Sequence, residues 1–306
     1  QANAALVFAK EDPAYAARCR EAAARAWRWA MREGIATGAY PLGAALAAGS
    51  RLMAATEDDA LWPEIVRLLR ELLALQETGS GAVTGFWYED ASRKRPAHLL
   101  HMGNLPLWGL LVFAESFPGL PESAEAVAAL QRYADGWLAW GLRRSTHGQV
   151  PYALYERDPG GGRRAGKWYY RWCYENREDG AWWNGVNPHL ASTGAALARM
   201  SRLLKRPDLR AAAQRQLDFL YGANPFDASW ATGIGFNQPE YFKTSEFTPH
   251  TPLITGAVMA GIGSSPSDQP VLLPGWWQTT EYWMEAVAPL VTLLHDLDRT
   301  EPHPLR

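Results

Sequence analysis

Cysteine is nearly missing from this sequence. Cys19 and Cys173 are the only two in 306 residues. Two thiols make no disulfide framework, and no CxxC or Cys/His spacing marks a zinc site. Long apolar runs are also missing. Nothing approaches the roughly 18 consecutive apolar residues of a membrane-spanning helix, so no membrane partner is expected. A basic surplus is absent too, because 30 Lys+Arg stand against 32 Asp+Glu for a net charge of −2. A nucleic-acid partner would call for a basic stripe, so that class is set aside. Alternation with a period of two is almost absent, which argues against a sheet-built fold. No composition shift or linker divides the chain, which reads as a single domain over residues 1–306. No signal-peptide pattern precedes it and it opens on Gln1, as a mature secreted product, a trimmed chain or a partial one would.

What is present is helix, and tryptophan. Asp12 and Pro13 have the form of an N-cap and first helical residue. A helix is expected from Ala14 to Glu33, ended by Gly34. Further helices are expected over Tyr40–Thr56, Asp58–Gln76, Ala97–Phe117, Ser123–Arg143, His189–Lys205, Pro207–Gly222 and Thr280–Asp298. Gln1–Lys10 reads as the end of an earlier one. In the third of these, Ile65, Leu68, Leu69, Leu72 and Leu73 fall on one face. Long loops separate the helices at 77–96, 145–187 and 223–278. A loop as long as 145–187 in a compact domain is usually functional or disordered, and its seven aromatics from Trp168 to Trp183 argue against disorder. Helical hairpins with long loops at one end fit an α/α toroid, although eight or nine helices are too few for six hairpins.

There are 15 Trp. Some must fill the core. A tryptophan in a Gly- and Asn-rich loop is also suited to stack on a sugar ring, because it presents a rigid apolar face with a polar edge. Trp87, Trp168, Trp172, Trp182, Trp183, Trp230, Trp276 and Trp277 are the candidates for a carbohydrate-binding groove. Asn187, Asn237, His189 and His250 could add hydrogen bonds to hydroxyls.

Three blocks in the last third carry a resemblance. They are Gly180-Ala-Trp-Trp-Asn-Gly-Val-Asn187; then Gln216-Leu-Asp-Phe-Leu-Tyr-Gly-Ala-Asn-Pro225 with Thr232-Gly-Ile-Gly235; and Thr280-Glu281-Tyr-Trp-Met-Glu-Ala-Val-Ala288. In this order they resemble glycoside hydrolases of family 9, the group dominated by cellulases. The resemblance implies an all-α (α/α)6 barrel of helical hairpins, here lacking its first helices. It implies an inverting hydrolase of β-linked glucan chains, with Glu281 as general acid. Three departures accompany it. The family's Asp-Ala-Gly-Asp segment, which supplies the base, is not in this chain. Its His-Arg segment is replaced by residues Phe236 to His250. Thr280 stands where the family has Asn.

An inverting glycosidase needs a protonated carboxyl to donate to the leaving oxygen and an ionised one to activate water. Glu281 follows Trp276 and Trp277, and apolar neighbours disfavour its charge, as an acid requires. The other reading is a first-turn glutamate complementing a helix dipole, with Glu285 one turn further along the same face. The base is not assigned. Glu89, Asp90, Glu175, Glu178, Asp179 and Glu246 all lie in aromatic loops, and a segment preceding residue 1 could hold it instead. No cofactor is expected. A structural Ca²⁺ could sit in such loops, but no ligand run of the EF-hand type is present. Two other functions are open: a polysaccharide lyase using Tyr169, Tyr170, Arg171 and His250, and a non-catalytic glycan-binding or assembly protein.

Overall fold

The computed structural model describes residues 1–34, 37–98, 104–174, 184–244 and 250–299. Its helices are α1 (Ala2–Val7), α2 (Pro13–Glu33), α3 (Ala39–Thr56), α4 (Trp62–Ala74), α5 (Leu105–Ser116), α6 (Pro121–Tyr133), α7 (Ala139–Leu142), α8 (Asn187–Leu203), α9 (Pro207–Leu220), α10 (Trp277–Thr280) and α11 (Met284–Asp298). A π turn over Ala134–Leu138 joins α6 to α7.

The local signals act as the sequence predicts. The Asp12 carboxylate accepts the Tyr15 N–H at 2.9 Å, Pro13 opens α2, and Gly34 closes it with φ +87°. That φ lies in the region open to glycine at little cost. On α4, Ile65, Leu68, Leu69 and Leu72 are buried and Leu73 is half-buried. The helix expected from Ala97 begins instead at Leu105, with Pro106 in its first turn. The 145–187 stretch is not wholly irregular. It holds β1 (Ala153–Tyr155), β2 (Arg163–Ala165) and β3 (Trp168–Arg171), antiparallel in the order β1-β3-β2. A second small ladder pairs β4 (Gly263–Ser264) with β5 (Pro270–Val271).

Helices form two layers. In the inner layer α3 packs on α5, α5 on α8, and α8 on α11; α4, α6 and α9 back them from outside, and α1 and α2 lie against α3. Close approach depends on small residues. A Cβ on Gly43 would fall 2.4 Å from the Leu105 carbonyl oxygen, and one on Gly109 would fall 2.6 Å from the Gly43 carbonyl. Three inner helices also share an ion cluster. Glu115 of α5 meets Arg51 of α3 at 3.4 Å and the Arg199 Nε of α8 at 3.1 Å. Among the described residues no helix is long and apolar enough to cross a membrane. The helical arc carries its long loops, 143–174 and 221–283, past the start of α8 and the start of α11, and those loops build the candidate site.

Candidate active site

The site is laced together by backbone. Segment 257–262 runs through its middle. On one side the Val186 N–H donates to the Ile262 carbonyl at 2.9 Å and the Asn187 N–H to Ala260 at 3.0 Å. Residues 230–232 join through Met259 N–H to Trp230 O at 3.0 Å and Thr232 N–H to Ala257 O at 2.9 Å. The segment carrying Glu281 adds three more bonds. These are Ala260 N–H to Glu281 O at 2.9 Å, Gly261 N–H to Thr279 O at 2.8 Å and Trp283 N–H to Val258 O at 3.0 Å.

Such close lacing explains the glycines. A Cβ on Gly185 would lie 2.3 Å from the Ala260 carbonyl carbon, and one on Gly261 would lie 2.2 Å from Asn187 Cγ. Real Cβ atoms do not approach so closely, so neither position accepts a side chain without moving the backbone. The Gly222-Ala-Asn-Pro225 block is likewise a knot. Asn224 is buried, and its Nδ2 donates to Phe219 O at 2.7 Å and Ala228 O at 2.8 Å. Its Oδ1 accepts the Phe226 N–H at 3.1 Å. This fixes the turn that sends the chain from α9 into residues 228–232.

Glu281 lies in an extended link between α10 and α11, with φ −68° and ψ 143°. It is therefore not a first-turn glutamate. That place belongs to Glu285 on α11, so the two do not share a helical face. Glu281 is half-buried, and its Oε2 accepts the indole N–H of Trp283 at 2.8 Å. The opposite side of the link carries Tyr282. Its ring stacks on Tyr241 at 5.4 Å and 12°, and its hydroxyl accepts from Thr232 Oγ at 3.2 Å. Phe236, Ile234, Leu253 and Ile254 are exposed on the flanking loops.

The tryptophans divide. Trp276 is 54% exposed, and Trp277 is half-buried beside it, both at the start of the turn that leads to Glu281. Trp172 is half-buried and lines a cavity of about 250 Å³ with Gln149, Arg163, Asp268 and His147. Trp87, Trp168 and Trp230 are core side chains, which corrects the expectation that they face a groove. Trp230 is wholly buried, Trp87 packs against Tyr133 at 5.7 Å, and Trp168 packs between Phe86 and Tyr88. Rings buried to this degree have no open face to offer a sugar. Trp182 and Trp183 lie outside the described residues, as do Glu175, Glu178, Asp179 and Glu246.

The polar candidates also sort. Asn187 is buried, and its Nδ2 donates to Met259 O at 3.0 Å, so it braces the central segment rather than reaching a ligand. Asn237 braces its own loop by donating to the Phe226 and Asp227 carbonyls. His189 is buried, with its Nε2 3.1 Å from the Pro151 carbonyl. Burial pulls its imidazole down to about 4. His250 is exposed. Glu89 pairs with Arg95 at 2.8 Å, and Asp90 closes a turn by accepting the Ser92 N–H at 2.8 Å.

Arg171 is not available for the lyase reading. It is fully buried and spends its guanidinium on Gly160 O, Pro266 O, Ser264 Oγ and Ser265 O, with Asp268 Oδ1 3.7 Å from its Nε. Its Nε–H keeps no hydrogen bond but is buried against Asp268, so the guanidinium is not presented to a uronate. Asp268 also meets Arg163 and accepts the backbone N–H groups of Trp172 and Cys173. Burial pushes its carboxyl above the ordinary range against the pull of both guanidiniums. Sequence reasoning missed this cluster, and it missed Tyr241, Tyr282 and Trp283. The last two directly follow Glu281 and were legible as an aromatic pair that favours extended chain.

Two layers of helices with aromatic loops and a half-buried carboxyl at one end define an α/α-toroid protein built on helical hairpins. The family model for glycosyl hydrolase family 9 matches residues 1–294, and the chain belongs to that family. Solved structures agree in fold. The cellulase Cel9M of C. cellulolyticum superposes with a TM-score of 0.58 at 18% identity, covering 95% of this chain and 60% of that one. A single mutant of a thermostable endoglucanase from Alicyclobacillus acidocaldarius gives 0.65 at 18%, covering 97% and 53%. AaCel9A in complex with cellobiose-like isofagomine gives 0.64 at 20%, covering 97% and 53%. These neighbours are (α/α)6 barrel enzymes. The chain spans between half and three-fifths of their length. No curated protein sequence is similar enough to count as a match.

Proposed function

We propose that this protein is a glycoside hydrolase acting on a β-linked glucan with inversion, and that Glu281 is its general acid. The observation that carries this reading is the setting of Glu281. It is a carboxyl on an extended link, fixed through its own backbone, half-open, bonded to the Trp283 indole, and just after the turn that carries Trp276 and Trp277. A group held by its main chain can keep a carboxyl oxygen available for proton transfer. The family supports the reaction class. The printed names of the neighbours, cellulase and endoglucanase, support the substrate class.

In the reaction, protonated Glu281 gives its proton to the glycosidic oxygen as the C1–O bond breaks and that oxygen takes the electron pair. Water bonds to C1 from the opposite face. A second carboxylate, about 6.5–9.5 Å from the first, accepts the proton that this water loses. Glu89 and Asp90 are committed to Arg95 and to a turn. We place the base in the part of the relatives' barrel that this half-length match leaves unmatched. Apolar side chains exposed at both ends of the arc support that placement. Met284 and Val291 stand out on α11, and Trp29 stands beside a groove of about 720 Å³ between α2 and α3.

The test is Glu281→Gln in the full-length polypeptide, assayed on cello-oligosaccharides. Hydrolysis should fall by roughly a thousandfold or more while oligosaccharide binding persists. Undiminished hydrolysis would end the assignment, and so would an unsaturated product absorbing in the near ultraviolet.

A further inference from the structure

We infer that Trp283 is a positioning residue for Glu281, and that its indole decides which carboxyl oxygen handles the proton. This rests on the general-acid reading above. The geometry is specific. Trp283 lies two residues after Glu281 on an extended link, so both side chains leave on the same side. The indole N–H reaches Oε2 at 2.8 Å. Trp283 cannot drift, because its own N–H is bonded to Val258 O at 3.0 Å and its carbonyl accepts from Ala286 and Val287 at the start of α11. An indole N–H only donates. An oxygen accepting that bond is a poor seat for a proton, so in the acid form the proton sits on Oε1. The indole thereby leaves Oε1 as the oxygen that faces the glycosidic bond.

Other ionisable groups nearby are otherwise engaged or turned outward. Glu240 and Lys243 pair with each other at 2.6 Å. Tyr241 and Tyr282 stack on the far side of the link, and Glu285 and His250 are exposed. Among the described residues no cation pairs with Glu281, and the indole is the polar side chain on its carboxyl.

The experiment has two arms. In the first, the full-length protein is labelled with ¹⁵N-indole tryptophan and the Trp283 resonance is identified by its loss in Trp283→Phe. In Glu281→Gln this N–H should move upfield, because an amide oxygen is a weaker acceptor than a carboxylate. An unmoved resonance overturns the inference, and this arm needs no activity. In the second arm, Trp283→Phe should lower kcat on cello-oligosaccharides by about tenfold with KM within about twofold. Replacing Trp283 by 3-benzothienylalanine keeps the shape and deletes the N–H. It should reproduce the loss where the phenylalanine variant folds poorly. Unaltered kcat in the benzothienyl variant, with Glu281→Gln inactive, overturns the positioning role and leaves the general acid standing. Equal activity in wild type and Glu281→Gln removes the general acid itself, whatever Trp283 does.

Discussion

One continuous stretch, residues 257–268, serves two neighbours and holds them by different means. Its first half meets the Glu281 link through main-chain hydrogen bonds, made possible by Gly185 and Gly261. Its second half meets the 143–174 loop through buried charge, with Arg171 threading into Ser264, Ser265 and Pro266 while Asp268 receives Arg163 and two backbone N–H groups. A carboxyl stands at each of the two contacts. Asp268 is consumed by the fold, whereas among the described residues Glu281 keeps one oxygen without a hydrogen bond. Lacing by backbone fixes a position without using up the side chain that stands there, and that separates the Glu281 carboxyl from the structural carboxyl of Asp268.

The largest effect on stability should come from cutting the charged half. Arg171→Met leaves the Asp268 carboxyl buried with only the partly exposed Arg163 as counter-ion. Removing one partner of a buried pair typically costs roughly 3–5 kcal/mol. Adding Asp268→Asn should return part of that loss, because the second change removes the stranded charge. Denaturant titration of the two single variants and the double variant measures the coupling. A cost in Arg171→Met below about 1 kcal/mol would mean that buried charge does not hold this loop.

Sequence legibility follows the same division. Local devices could be read, because they act within a turn or two. Asp12, Pro13 and Gly34 bound α2, and the leucines of α4 face inward. The Gly-x-Asn-Pro block could be read as a marker, but its role as a knot around Asn224 needed the fold. The Glu281 link was misread as helix because Thr280 and Glu281 look like a helix start. Tertiary lacing to residues 258–261 draws it into extended chain instead. Trp87, Trp168 and Trp230 were misplaced for another reason. A loop tryptophan has the same local sequence whether it faces solvent or core, and only packing from distant residues decides. Asp268 passed unnoticed because its partners Arg163 and Arg171 lie in a different loop.

Acid should loosen the His189 anchor that ties the 143–174 loop to α8. The His189 imidazole is held down to about 4 by burial, where it anchors the 143–174 loop through Pro151 at the start of α8. In the unfolded chain it titrates near about 6.5. Between those values the unfolded state binds the proton and the folded state does not, so stability falls as pH drops from about 6.5 toward 4. The full loss is about 3 kcal/mol. Asp268 works in the opposite sense. Its raised carboxyl takes up a proton more readily when folded, so its contribution grows as pH falls. His189→Gln can keep the bond to Pro151 and cannot be charged. Urea midpoints followed from pH 7 to 4 should decline in wild type and flatten or reverse in this variant. An equal decline in both would place the acid sensitivity elsewhere.

The smallest expected effect gives the sharpest test of the comparison. Glu281→Gln should change stability by less than about 0.5 kcal/mol, although it is expected to abolish hydrolysis. The amide oxygen can still accept the Trp283 indole, and the backbone bonds that fix residue 281 do not involve its side chain. No ion pair among the described residues is broken. Asp268→Asn should cost more than Glu281→Gln, because it removes the counter-charge of a fully buried Arg171 and weakens the bonds to Trp172 and Cys173. Thermal melting of the two isosteric variants side by side decides it. If Glu281→Gln proves as destabilising as Asp268→Asn, the Glu281 carboxyl is a structural anchor like its neighbour, and its proton is not held in reserve for a glycosidic oxygen.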